Sequence, residues 1–161
     1  MNTEMGEYIV GACLKRLKEC DFVDYNVRRS EGSLAGLNEI DVVGLDFKSK
    51  TAYLCEVTTH LDGLHYGKST KDTVDRISKK HENLQKYAKD YLPEFTPHFM
   101  FWSPIVREGI AMELRKIKRL ELIINKDYAA YFEHLKDLAN KETRITGNPA
   151  FRLLQILGHL R

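Results

Sequence analysis

This chain has few cysteines, few prolines and little net charge, and each of these properties limits the classes of protein to which it can belong. The 161 residues include four prolines and three cysteines, Cys13, Cys20 and Cys55, none of which forms a CxxC pair. This pattern favours reduced, packed thiols over a disulfide scaffold or a zinc site. The formal net charge is only +2, which by itself does not require a nucleic-acid partner.

Long apolar segments are also missing. No apolar run approaches the roughly 20 residues of a membrane span, and the first residues, Met1-Asn2-Thr3-Glu4, lack the basic-then-apolar pattern of a signal peptide. We therefore expect a cytoplasmic protein without membrane contact. A chain of this length can bury roughly 70% of its unfolded surface, so we expect a single domain over residues 1–161.

Hydrophobic periodicity predicts an α/β protein. Helices are expected over residues 4–19, 109–118, 127–140 and 149–157, and strands over residues 22–28, 39–45, 51–59, 98–102 and 120–124. A further long helix, capped by Ser69 or Thr70, is expected to carry an apolar stripe from Val74 to Tyr91. This order, αβββαβαβαα, predicts a mixed sheet with helices on both faces, in which the second and third strands form an antiparallel hairpin. The last helix is apolar enough to be a homodimer surface or a core helix.

Two acidic residues lie inside the apolar hairpin strands, where a carboxylate is costly to bury without compensation. If the faces of the two strands are aligned, Asp41 and Glu56 converge, and a divalent ion would hold both ionised. Oxygen ligands favour Mg²⁺ or Mn²⁺. Glu7, on the apolar stripe of the first helix, is a candidate third acid. Structural acids held by hydrogen bonds are the alternative interpretation.

Four short motifs carry a resemblance to a known superfamily. They are Gly6-Glu7, Asn26-Val27-Arg28, Asn38-Glu39-Ile40-Asp41 and Glu56-Val57-Thr58. In this order they resemble the PD-(D/E)XK nucleases, in particular the Holliday-junction-resolvase-like and restriction-endonuclease-like branches, over roughly the first 60 residues. The resemblance implies a restriction-endonuclease-like fold, with Asp41, Glu56 and the Val57 carbonyl as metal ligands and Glu7 as a helix-borne acid.

One position departs from the pattern of the superfamily. Thr58 stands where its members usually place a catalytic lysine, and a neutral hydroxyl cannot supply that charge. Some members carry the lysine on the following helix instead. Helical geometry places Lys80 nearest the apolar stripe of that helix, so Lys80 is the favoured replacement, with Lys68 and Arg76 as alternatives.

The basic clusters flank the acidic residues, as a phosphate-binding surface requires. The candidate nucleic-acid contacts are Arg28, Arg29, Lys68, Arg76 and Gln85. The resemblance implies an Mg²⁺- or Mn²⁺-dependent nuclease that hydrolyses DNA, with RNA a less favoured substrate, in restriction, recombination or mobile-element defence. The alternative is an inactive nuclease-fold module that binds nucleic acid or a protein partner.

Overall fold

The fold is known from a computed structural model that describes residues 2–28 and 39–160. Within these ranges the chain forms five helices and five strands. In chain order they are α1 (Met5–Arg16), β1 (Phe22–Arg28), β2 (Glu39–Asp46), β3 (Thr51–Val57), α2 (Thr70–Tyr91), β4 (Thr96–Ser103), α3 (Glu108–Leu114), β5 (Leu120–Ile124), α4 (Lys126–Lys141) and α5 (Pro149–Gly158). The predicted α/β class is confirmed.

The five strands form one mixed sheet in the order β1-β2-β3-β4-β5. The pairs β1–β2 and β2–β3 are antiparallel, whereas β3–β4 and β4–β5 are parallel. The antiparallel hairpin expected of the second and third strands is present. Parallel strands need a crossover, and α2 and α3 provide the two crossovers.

Helices cover both faces of the sheet. On one face α1, α4 and α5 pack around a core that includes Leu14, Trp102 and Phe151. On the other face α2 covers the strands with a stripe that includes Ile77 and Leu84. No helix in the described ranges is long and apolar enough to cross a membrane.

Two helices end earlier than the periodicity predicts. α1 stops at Arg16 instead of residue 19, because Glu19 adopts a left-handed conformation with φ 56° that turns the chain into β1. α3 stops at Leu114 instead of residue 118, and the amide of Ile117 then bonds the Leu114 carbonyl across a tight turn. Neither end carries the glycine that usually marks such a stop.

The outer face of α5 is apolar and exposed. Leu153, Ile156 and Leu157 are each about half exposed, while Phe151 on the inner face is buried. α5 is therefore a core helix through its inner face, and its use in a homodimer stays a prediction.

Candidate functional site

The two acids of the hairpin lie directly opposite each other. Val42 pairs with Cys55 in the antiparallel register of β2 and β3, so the next residue on each strand places Asp41 against Glu56. Directly opposed residues have Cβ atoms about 4.5–5.5 Å apart. The convergence that alternation predicts for these two acids is thus present.

Burial and mutual repulsion make these carboxyl groups reluctant to ionise. Glu56 is 4% exposed, and this burial, followed by the charge of Asp41, raises its pKa to about 8. Burial also raises the pKa of Asp41. The amide of Val57 donates to Asp41 Oδ2 at 2.7 Å, which partly opposes the rise in the pKa of Asp41. Glu56 therefore holds its proton near neutral pH unless further positive charge reaches the pair.

Lys80 of α2 supplies the positive charge beside this pair. Its Nζ forms an ion pair with Glu56 Oε2, and its side chain is only 14% exposed. Burial lowers the pKa of Lys80, but the charges of Glu56 and Asp41 outweigh that effect and the pKa is raised overall. Lys80 is therefore a charged ammonium, and it lies where the helical geometry of the sequence ranks it first.

Thr58 occupies the strand position at which the superfamily has its lysine. It is 7% exposed; its amide donates to the Trp102 carbonyl at 2.9 Å, and its hydroxyl lies 3.1 Å from the hydroxyl of Ser103, which is fully buried. The Thr58 hydroxyl is thus tied to the end of β4. Thr58 therefore holds the end of β3 to β4.

Glu7 approaches the same end of the sheet from α1. Its Oε2 accepts hydrogen bonds from the Glu4 amide at 3.0 Å and from Asn26 Nδ2 at 3.2 Å. Burial raises the pKa of Glu7, and the nearby Asp41 adds to that effect. The bond to Glu4 closes a capping box at the start of α1. Glu7 therefore both caps its helix and adds negative charge near Asp41.

An unusual backbone conformation brings Asn26 to Glu7. Asn26 lies within β1 but has φ 53°, a left-handed value that asparagine tolerates better than most residues. The side chains of Tyr25 and Asn26 both reach α1, at Tyr8 and Glu7, although consecutive residues of a regular strand face opposite ways. Backbone strain of this kind concentrates at functional sites.

A second acid of β2 lies beside the pair. Glu39 is 8% exposed, and its Oε2 accepts from Arg28 Nε at 2.8 Å and forms an ion pair with Arg28 Nη2 at 2.7 Å. Arg28 remains about half exposed. Arg28, a candidate nucleic-acid contact, is thus paired with an acid of the site and remains accessible to solvent.

Two of the other candidate nucleic-acid contacts, Arg76 and Gln85, lie on α2. Arg76 is exposed, with its guanidinium over the Tyr66 ring. Lys68 is exposed just before the helix. Gln85 contacts His81 rather than the acids, and its Nε2 is 3.0 Å from His81 Nε2. Arg29 lies outside the described residues.

A cavity of about 310 Å³ lies beside the acidic residues at this end of the sheet. Its lining residues include Glu7, Asn26, Glu39, Asp41, Val57, Thr58, His60 and Tyr66. Glu7, Glu39 and Asp41 thus line one cavity at this end of the sheet, whereas Glu56, which is paired with Lys80, is not among the lining residues.

These groups could hold a hard divalent cation through two carboxylates rather than three. In the described ranges no three His, Cys, Asp or Glu side chains form a cluster that could hold a metal ion. Asp41 and Glu56 have the right donor chemistry and opposed positions, while Glu7 is held by Glu4 and Asn26. The Val57 contact with Asp41 is made by its amide, so the predicted carbonyl ligand stays a prediction.

Comparison of the chain with protein-family models, curated proteins and solved structures gave no match. The resemblance to the PD-(D/E)XK nucleases thus rests on the motif residues, and any function must be argued from the site.

Three residues that contact the site were not predicted from the sequence, because they lie in a loop or at a strand end, or because they contact the site through another residue. Tyr66 precedes α2 and belongs to no periodic pattern, and Ser103 ends a strand that is apolar almost throughout. Asn26 was part of a motif but had no assigned role. The only available signal was its place beside an arginine at the end of a predicted strand.

Proposed function

We propose that this protein is a metal-dependent nuclease that hydrolyses DNA phosphodiester bonds at the Asp41–Glu56 pair. The observation that carries the proposal is the buried ion pair between Lys80 and Glu56, next to Asp41. A cation beside two converging carboxylates is the charge arrangement that a phosphodiester hydrolase needs. Here α2 contributes that cation, and Thr58 does not.

The sheet supports a restriction-endonuclease-like fold for this site. Antiparallel β1–β3 followed by parallel β4 and β5, with acids on β2 and β3, is compatible with the order of the superfamily motifs. An α/β class alone does not imply a function. The proposal therefore depends on the residues of the site and not on the architecture.

Asp41 and Glu56 are the residues that would hold Mg²⁺ or Mn²⁺. The bound ion would polarise the scissile phosphate and lower the pKa of a water. Lys80, at hydrogen-bond distance from Glu56, can orient that water and offset the charge that develops on the phosphate. Hydrogen bonds from Asn26 and Glu4 hold the Glu7 carboxyl group near Asp41, where it adds negative charge to the site.

A plasmid-nicking assay with Mg²⁺ or Mn²⁺ tests the proposal. We expect wild type to nick supercoiled DNA, and Asp41→Asn, Glu56→Gln and Lys80→Met to lose at least about 100-fold in rate, as the loss of one preorganised charged group typically does. Glu133→Gln, an exposed acid of α4, is the matched control and should cut like wild type. Cleavage that survives all three site substitutions would place the reaction elsewhere.

A second candidate follows from the same ion pair. Lys80 already pairs with Glu56, so one of the two opposed acids has a cationic partner without a metal, as an inactive module that binds nucleic acid or a protein would require. Thermal unfolding separates the two candidates. A nuclease should gain stability from Mg²⁺ or Mn²⁺ in a manner that Glu56→Gln abolishes, whereas no metal response and no cleavage of duplex, single-stranded or branched DNA, or of RNA, would favour the inactive module.

A further inference from the structure

The rim of the acidic cavity carries an aromatic–cation pair that the proposed chemistry does not use. The guanidinium carbon of Arg76 lies 4.3 Å from the centre of the Tyr66 ring, within the range of a cation–π contact. The His60 ring meets the same tyrosine edge-on, at 5.2 Å between ring centres. Tyr66 and His60 both line the cavity with Asp41.

The tyrosine is fixed to α2 by both of its backbone groups. The Tyr66 amide donates to Thr73 Oγ1 at 2.9 Å, and this hydroxyl donates to the Tyr66 carbonyl at 3.1 Å. Thr73 is fully buried, so the loop residue cannot move independently of the helix. Arg76 lies three residues after Thr73, on an adjacent position of the helix surface. The ring therefore faces Arg76 because the backbone of the loop is fastened there.

We propose that Arg76, held on the Tyr66 ring, binds a DNA phosphate next to the one at the Asp41–Glu56 pair, and that Tyr66 is the positioning residue for Arg76. The inference rests on the proposed function, whose reaction needs a strand drawn toward an acidic cavity. Arg76, at the rim of the cavity, would attract the negatively charged DNA strand, which the carboxylates by themselves repel.

The chemistry of the pair favours phosphate over a stacked base. Arg76 covers one face of the Tyr66 ring, so that face is closed to a nucleobase. The guanidinium is exposed, and no ion pair of Arg76 occurs within residues 2–28 and 39–160. A guanidinium whose plane is set by a ring presents a fork of N–H donors that matches two phosphate oxygens.

Equilibrium binding of a short fluorescent DNA duplex, measured in EDTA at several salt concentrations, tests the inference without cleavage. Arg76→Ala should weaken binding and reduce the slope of log K against log [salt] by about 0.9, the value for one lost phosphate contact. Tyr66→Leu should reproduce most of this change, and Tyr66→Phe, which keeps the ring, should restore the wild-type slope. Arg144→Ala removes an exposed arginine from the loop between α4 and α5, and it should leave the slope unchanged.

The outcomes separate this inference from the proposed function. A wild-type slope in Arg76→Ala, or a slope in Tyr66→Leu that matches Tyr66→Phe, would overturn the inference whether or not the protein cuts DNA. A reduced slope in a protein that never cuts would support the inference and overturn the nuclease proposal alone. If the wild type cuts, Arg76→Ala should raise KM several-fold with a smaller change in kcat.

Discussion

Replacing Glu56 by glutamine should stabilise the protein at alkaline pH, although it destroys the proposed site. The pKa of Glu56 is raised from the ordinary value of 4.5 to about 8 in the folded protein. Between these values the folded state holds a proton that the unfolded state has lost. The free energy of unfolding should therefore fall as the pH rises through this window.

The magnitude follows from the size of the pKa shift. One pKa unit corresponds to about 1.4 kcal/mol, so wild type should lose roughly 3–4 kcal/mol of stability between about pH 5 and about pH 8 through Glu56. Glutamine keeps the size and neutrality of the protonated acid at every pH, and Glu56→Gln should lose most of this dependence. The raised pKa of Asp41 acts in the same direction and leaves a smaller residual slope. Lys80 adds none in this window, because its raised pKa keeps it charged throughout.

Urea unfolding in EDTA, at several pH values across this window, measures the effect directly. EDTA is needed because a bound divalent ion would stabilise the ionised acids and mask the slope. Glu133→Gln should follow the wild-type profile, since this acid is exposed on α4. A wild-type stability that is flat across the window, or a Glu56→Gln profile parallel to wild type, would refute the description of Glu56 as a costly buried acid.

Two further pairs of substitutions test packing and backbone strain elsewhere in the fold. Gly11→Ala should destabilise the protein by about 1–3 kcal/mol in urea unfolding, because the added Cβ would overlap the Tyr25 ring. Gly109→Ala is the control: a Cβ there meets nothing within 4 Å, so this substitution should stabilise the protein by up to about 1 kcal/mol. Equal effects of the two substitutions would contradict the close approach of Gly11 to Tyr25. Asn125 has φ 52° and bonds both the amide and the carbonyl of Val106. Asn125→Ala should therefore cost about 2–3 kcal/mol, and Asn125→Gly, which relieves the backbone strain, should cost less in the same assay.

Periodicity and turn residues predicted two strands with their observed bounds. The strand over residues 120–124 ends on buried residues, whereas the strand over residues 22–28 has no buried residue, and its end was predicted from the turn residues that follow it. Helix ends were predicted less well. Glu19 and Arg119 adopt left-handed conformations near the places where α1 and α3 give way to strands, and tertiary context rather than local preference stabilises such residues.

The candidate site was predictable where it depends on strand alternation and helical angle. Asp41 and Glu56 were found because an acid in an apolar strand is a visible exception, and Lys80 because it flanks the stripe of a regular helix. The contacts of Glu7 with Asn26, and of Tyr66 with Arg76, join residues of different elements. They depend on how those elements dock, which no local pattern of this chain specifies.

The ion pair of Lys80 bears on why several acids lie together at this end of the sheet. A lysine that only compensated a structural acid would make the Lys80–Glu56 pair replaceable by apolar residues, which is often neutral or stabilising for a buried ion pair. Here Asp41 adds a second carboxylate that a single ammonium does not neutralise, and Glu7 and Glu39 line the same cavity. Within residues 2–28 and 39–160, Arg28 pairs with Glu39 and Lys80 with Glu56, which leaves Asp41 and Glu7 as lining acids that form no ion pair of their own. This excess of acids is the feature that favours a site for an external cation over a structural ion pair.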